Sequence, residues 1–148
     1  MNTLFLLNCI KCISQNFLYK NIVRKVVIPA SVKKIEEGAF EECENLTNII
    51  LHDGIEKIKN NWFTRIPVKQ IIIPKSVKMI GNGAFSECMN LVSIILQEGL
   101  EIIGDECFSN GILNDIDNQI RELTIPKTVK SIGNKAFYNC GNLTSITL

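Results

Sequence analysis

Apolar residues recur along this chain at a period far longer than that of a helix or a strand. Three octapeptides of one design, KKIEEGAF, KMIGNGAF and KSIGNKAF, end at Phe40, Phe85 and Phe137. Two weaker copies, EKIKNNWF and EIIGDECF, end at Phe63 and Phe108, and a degenerate copy, KCISQNF, ends at Phe17. The phenylalanine column 17, 40, 63, 85, 108, 137 advances in steps of 23, 23, 22, 23 and 29 residues. Five residues earlier stand Cys12, Ile35, Ile58, Ile80, Ile103 and Ile132, and three before those Cys9, Val32, Ile55, Val77, Leu100 and Val129. After each phenylalanine comes an L-x-x-I-x-L segment, from Val23/Val26/Ile28 and Leu46/Ile49/Leu51 to Leu143/Ile146/Leu148. Six apolar columns held over six copies are the signature of stacked repeats.

Each unit reads physically. The L-x-x-I-x-L segment ends in period-2 alternation rich in β-branched residues, which predicts a short strand with one face buried. The stretch around Ala39-Phe40 is too short for a free-standing helix but long enough for one helical turn that carries phenylalanine inward. A unit of about 23 residues cannot bury its apolar face alone, so units stack and close a continuous core. The expected architecture is a right-handed solenoid, with a parallel β-sheet on one face and short strands and helical turns on the others. Residues 1–148 then form a single domain of about six repeats of 22–29 residues, with a degenerate first repeat at 1–28 and strong repeats at 29–51, 74–96 and 126–148.

The pattern IP-x-S/T-V-x-x-I-x-x-x-A-F-x-x-C-x-N-L-x-x-I-x-L, carried from Ile28 to Leu51, Ile73 to Leu96 and Ile125 to Leu148, resembles the BspA-like leucine-rich repeat. The resemblance covers nearly the whole chain. It implies a leucine-rich-repeat solenoid of a kind found on cell surfaces and in secreted proteins, associated with adhesion and protein binding. It implies no catalytic residues and no cofactor.

Composition adds exclusions. The 148 residues carry 16 basic and 15 acidic side chains, a net charge of +1 that gives no reason to expect nucleic acid as partner. No apolar run approaches the roughly 18 residues needed to cross a bilayer, so no membrane insertion is expected. Met1 to Ile10 has a short apolar stretch, but without the preceding positive charge and small-residue cleavage site of a signal peptide. Localisation stays open between the surface that the resemblance implies and the interior that a missing leader would imply.

Two features repeat at every second unit: Pro29, Pro74 and Pro126, and Asn45, Asn90 and Asn142. The true period is therefore a pair of repeats. Between the V and I columns lie Lys33, Glu56, Lys78, Glu101 and Lys130, which alternate in sign and are expected to pair between neighbours rather than to hold a ligand. Cys43, Cys88 and Cys140 recur two repeats apart, roughly 10 Å by strand spacing and too far for a disulfide. Cys9 and Cys12 fall on apolar columns, so packing is favoured over a redox or zinc site.

Candidates for chemistry are few. His52, next to Asp53, reads as an exposed turn histidine rather than part of a triad, and no phosphate-loop or metalloprotease pattern is present. This argues against an enzyme. The irregular segment 109–119 holds Asn114, Asp115, Asp117 and Asn118, oxygen donors without the rest of a calcium loop; a solvated loop is the expectation. Trp62 takes the column otherwise held by Ala39, Ala84 and Ala136, so it must bulge outward, as a partner anchor, or repack locally.

The strand face is the strongest binding candidate. Side chains alternate across a strand, so the residues between the buried ones point out. They form a polar column of Lys25, Asn48, Gln70, Ser93, Glu122 and Ser145 beside a column of Val27, Ile50, Ile72, Ile95, Thr124 and Thr147. Stacked aliphatics on an open sheet mark interaction surfaces. Asn48, Ile50, Gln70, Ile72, Ser93, Ile95 and Glu122, with Trp62, are the candidate partner-binding residues, the partner being a protein or a glycan. The rival reading is a structural segment of a longer array with no ligand of its own. Leu148 closes a strand with no polar cap after it and Met1 opens within a degenerate unit, so end-to-end self-association is a further expectation.

Overall fold

The computed structural model describes residues 2–18, 20–36, 39–40, 43–110 and 120–148. The L-x-x-I-x-L segments form strands β3 (Lys25–Ile28), β5 (Asn48–Leu51), β7 (Gln70–Ile73), β9 (Ser93–Leu96), β11 (Glu122–Thr124) and β13 (Ser145–Thr147), and a further strand, β1 (Thr3–Phe5), precedes them. Strands β1-β3-β5-β7-β9 make one parallel sheet, and β11 and β13 pair in the same sense with β11 lying against β9. From β1 to β9 the registers are unbroken: Asn48 lies opposite Lys25 and Gln70, and Ile50 opposite Val27 and Ile72. Val26, Ile49, Ile71, Ile94 and Leu123 are buried while the residues between them face out, as period-2 alternation requires.

A second side of the stack is built from two-residue strands at the isoleucine column: β2 (Cys12–Ile13), β4 (Lys34–Ile35), β6 (Lys57–Ile58), β8 (Met79–Ile80), β10 (Ile102–Ile103) and β12 (Ser131–Ile132). Here β6-β8-β10-β12 and β2-β4 pair in parallel. Between the two sides the phenylalanines stack, with ring centroids 6.1 Å apart from Phe40 to Phe63, 5.2 Å to Phe85, 5.4 Å to Phe108 and 5.5 Å to Phe137.

The expected helical turns are replaced by turns with no helix among the described residues. Residues two before and two after Phe63, Phe85 and Phe137 adopt left-handed backbone: Asn61 and Arg65, Gly83 and Glu87, and Lys135 and Asn139. A right-handed helix cannot pass through such residues. Where a repeat follows, the turn amides bond to it instead: the N–H groups of Asn61, Phe63 and Arg65 donate to the carbonyls of Asn82, Ala84 and Ser86 at 3.1, 2.9 and 3.0 Å. The turn is thus a third hydrogen-bonded side of the solenoid.

The first repeat corrects the sequence register by one residue. Ile13, not Cys12, pairs with Ile35 across β2 and β4. Leu18, 4% exposed, fills the phenylalanine column, while Phe17 is 38% exposed. Left-handed Asn16 and Lys20 flank Leu18 two residues to each side, as left-handed residues flank Phe63, Phe85 and Phe137. Ile10 likewise replaces Cys9 against the core.

An asparagine column binds the turns further. The side-chain oxygens of Asn60, Asn82 and Asp105 accept the backbone N–H of Asn82, Asp105 and Asn134 at 2.9, 3.0 and 2.7 Å. Each satisfies an amide that the short strands leave unpaired.

Candidate functional site

The sheet face presents the two columns that alternation predicts, and β1 extends both. Phe5, opposite Val27, lengthens the aliphatic stripe to Phe5, Val27, Ile50, Ile72 and Ile95. Phe5 is 69% exposed, and Ile50, Ile72 and Ile95 are 41%, 44% and 42% exposed. At the spacing of hydrogen-bonded strands the stripe runs roughly 19 Å. Asn48, Gln70 and Glu122 are exposed beside it and Lys25 and Ser93 half-buried. A shallow hollow of about 490 Å³ lies over β5 and β7, bordered by Lys25, Asn48, Ile50, His52, Gln70 and Ile72. The stripe is cut off after Ile95, where Thr124 and Thr147 take the aliphatic position.

The other candidates separate from this face. Trp62 does not bulge outward: it is 5% exposed, its ring edge-on to Phe63 with centroids 6.2 Å apart. It borders a small hollow with Ala30 and Gly54, whose size leaves room for the indole. His52 is exposed and its Nδ1 lies 2.5 Å from the Asp53 carbonyl oxygen. The calcium candidates Asn114, Asp115, Asp117 and Asn118, and with them the expected solvated loop, lie outside the described residues; Ser109 and Asn110, which precede them, are buried. Among the described residues no cluster of three or more metal-ligating side chains occurs, and no helix is long and apolar enough to cross a membrane.

The charge column pairs at one step, where Lys130 Nζ sits 2.7 Å from Glu101 Oε2. The hydrogen bond and then the charge of Lys130 hold the Glu101 carboxyl below its ordinary range. Other inter-repeat and local pairs are Arg65–Glu87 at 2.7 Å and Lys34–Glu36 at 2.8 Å.

None of the six cysteines, all among the described residues, is disulfide-bonded. Cys9 and Cys12 are exposed, against the expectation that they pack, because the register shift hands their columns to Ile10 and Ile13. The periodic cysteines have a hydrogen-bonding role: Cys43, Cys88 and Cys140 donate their thiols to the carbonyls of Leu18, Phe63 and Phe108 at 3.4, 3.2 and 3.4 Å. Burial pushes the Cys43 thiol up to about 11 and Cys88 to about 12, and raises Cys107. In the folded protein near pH 8, iodoacetamide is expected to modify Cys9 and Cys12 and to spare Cys43, Cys88 and Cys107 until denaturant is added, as peptide mass mapping would read. Even labelling of all five would contradict the packing. A raised thiol value favours the folded state fully below the ordinary range near 9, and that contribution fades as pH climbs through about 12, so the melting temperature should fall across this window.

The BspA type leucine rich repeat region matches the chain in six copies, over residues 11–119 and 116–148. The chain belongs to the BspA-type leucine-rich repeat family. Solved structures of similar fold include a leucine rich repeat protein of T. pallidum, 26% identical with a TM-score of 0.75 over 99% of this chain and 69% of that one. The pneumococcal vaccine antigen PcpA is also 26% identical, with a TM-score of 0.69 over 93% of this chain and 35% of that chain. A leucine-rich repeat protein from Bacteroides ovatus, 23% identical with a TM-score of 0.61 over 94% of this chain and 41% of that one, shares the fold. This BspA-type chain therefore spans about two thirds of the T. pallidum protein and about a third of PcpA. No curated protein matches it.

Proposed function

We propose that this BspA-type chain is a binding module that meets a macromolecular partner, foremost a protein, through its sheet face, and that it does no catalysis. The observation that carries this reading is the aliphatic stripe from Phe5 to Ile95, four of whose five members are more than 40% exposed on an open parallel sheet. Parallel sheets are ordinarily covered on both faces, so an uncovered aliphatic one calls for a partner. Asn48 and Gln70 supply amides at the rim of the hollow, suited to peptide groups. The stripe has one aromatic ring, Phe5 at its end, which favours a protein over a glycan. Family membership supports the same reading, since leucine-rich repeats commonly mediate protein interactions.

The Ile50→Lys/Ile72→Lys variant is expected to keep its circular dichroism spectrum and melting temperature, because both side chains lie outside the core, and to lose partner capture. Undiminished capture would end the proposal. The rival reading, a structural segment of a longer array, predicts no partner for either protein and is separated by the same experiment.

A further inference from the structure

The charges around the sheet face are segregated in a way that the near-neutral whole conceals. The residues that enter the strands stack as Arg24, Thr47, Lys69, Val92, Arg121 and Thr144. Hydrogen bonds fix this column within each strand pair: the Arg24 carbonyl accepts the N–H groups of Thr47 and Asn48, that of Lys69 those of Val92 and Ser93, and that of Arg121 those of Thr144 and Ser145, while β11 lies against β9. Every second member is a cation, and Arg24, Lys69 and Arg121 are all exposed. Lys25 stands next to Arg24, and the two border a hollow with Thr3 and Asn48. Among the described residues none of these four cations forms an ion pair, and Glu122 is the one carboxylate in this column and the polar column beside it. On the far side, where the strands exit, Asp53 and Glu98 balance Lys75 and Lys127. The aliphatic stripe therefore lies between a cationic rim and a balanced one.

We infer that the occupant of the sheet face is an acidic amphipathic polypeptide, its aliphatic side chains on the Ile50–Ile72–Ile95 stripe and its carboxylates along the Arg24–Lys69–Arg121 rim. This rests on the reading of the face as a binding surface and names the chemistry of its partner. Cations two strands apart stand roughly 10 Å from one another. That spacing is about three residues of extended chain or two turns of helix, so either regular conformation can present carboxylates in step with the rim. A single-stranded nucleic acid would share the negative charge, but its bases take aromatic platforms, and this stripe is aliphatic apart from Phe5. Unpaired cations at a rim also steer an anionic partner and make its association sensitive to salt.

The test is fluorescence anisotropy of the intact chain with labelled probes. These are a three-heptad amphipathic peptide of leucine and glutamate, its leucine–lysine and serine–glutamate counterparts, and a single-stranded oligonucleotide. The leucine–glutamate peptide is expected to bind at least about tenfold more tightly than the other three, and to lose that advantage as salt rises. The Arg24→Glu/Lys69→Glu/Arg121→Glu variant, folded by circular dichroism, should weaken it by about tenfold and reverse the preference toward the leucine–lysine peptide. Equal binding of the leucine–lysine peptide to the wild type, tighter binding of the oligonucleotide, or an unchanged preference in the variant would overturn the inference. If this variant keeps wild-type partner capture while Ile50→Lys/Ile72→Lys loses it, the acidic partner is wrong and the binding face stands. If neither variant changes capture, both fall.

Discussion

Phe85→Ala is expected to cost about 3–5 kcal/mol of folding stability, the usual scale for emptying a core phenylalanine site. Phe85 is buried at the middle of a stack of five rings, 5.2 Å from Phe63 and 5.4 Å from Phe108. The neighbours cannot close the gap, because hydrogen bonds hold the turns at their spacing: Phe63 N–H donates to the Ala84 carbonyl at 2.9 Å and Phe85 N–H to the Cys107 carbonyl at 2.8 Å. The loss also falls at a junction between units, where a solenoid keeps its stability. Phe17→Ala should cost no more than about 1 kcal/mol, since that ring lies outside the stack and is partly solvated. Urea unfolding of the two variants checks both the magnitude and the register. Equal losses would mean that Phe17 belongs to the column after all.

Gly104→Ala should be the next most damaging change, at about 1–3 kcal/mol, for a different reason. A Cβ at Gly104 would stand 2.6 Å from the Gly81 carbonyl carbon and 2.7 Å from the Asn82 nitrogen, closer than real Cβ atoms come. Both are backbone atoms of the preceding repeat. They cannot retreat without stretching the bond from Gly104 N–H to the Ile80 carbonyl, 2.8 Å long, and that from Asp105 N–H to Asn82 Oδ1, 3.0 Å. Lys59 occupies the same place in an earlier unit and already carries a Cβ, so Lys59→Ala is expected to change stability within about 0.5 kcal/mol. Thermal melts of the pair test whether close approach, rather than chain flexibility, explains the glycine.

The repeat and its inward columns were legible in the chain because five phenylalanines and five isoleucines leave one consistent frame. The first unit was not, because Cys9/Ile10, Cys12/Ile13 and Phe17/Leu18 offer an apolar residue in either frame. A finer signal was present. Five residues separate Phe63 from Val68, and six separate Phe40 from Leu46 and Phe85 from Leu91. The two-repeat period requires five in the first unit, which is the distance from Leu18 to Val23 and not from Phe17. With Leu18 in place the column steps become 22, 23, 22 and 23 up to Phe108. The left-handed turn residues were hidden for another reason. Asn61, Arg65 and Glu87 are not glycine, and their N–H groups are held by carbonyls of the next repeat, which the chain does not reveal.

On the candidate face, alternation alone located Ile50, Ile72 and Ile95. It missed Phe5, because the segment before Cys9 had no partner column until β1 was seen to pair with β3. The net charge of +1, which gives no reason to expect nucleic acid, says nothing of how the charges are distributed around the face. Arg24, Lys69 and Arg121 recur at the two-repeat period already marked by proline and asparagine, so that column could have been read from the chain. Trp62 could not, since a large residue in an alanine column is compatible with either direction until the small residues beside it are located.

The central claim is that the aliphatic strand face, and not the opposite side of the solenoid, meets the partner. Two double variants of matched chemistry test it most directly: Ile50→Lys/Ile72→Lys on β5 and β7, and Met79→Lys/Ile102→Lys on β8 and β10. All four side chains lie outside the core, so both proteins should melt as the wild type does. Partner capture by the first should be lost and capture by the second retained. Loss of capture in the second variant with retention in the first would contradict the account.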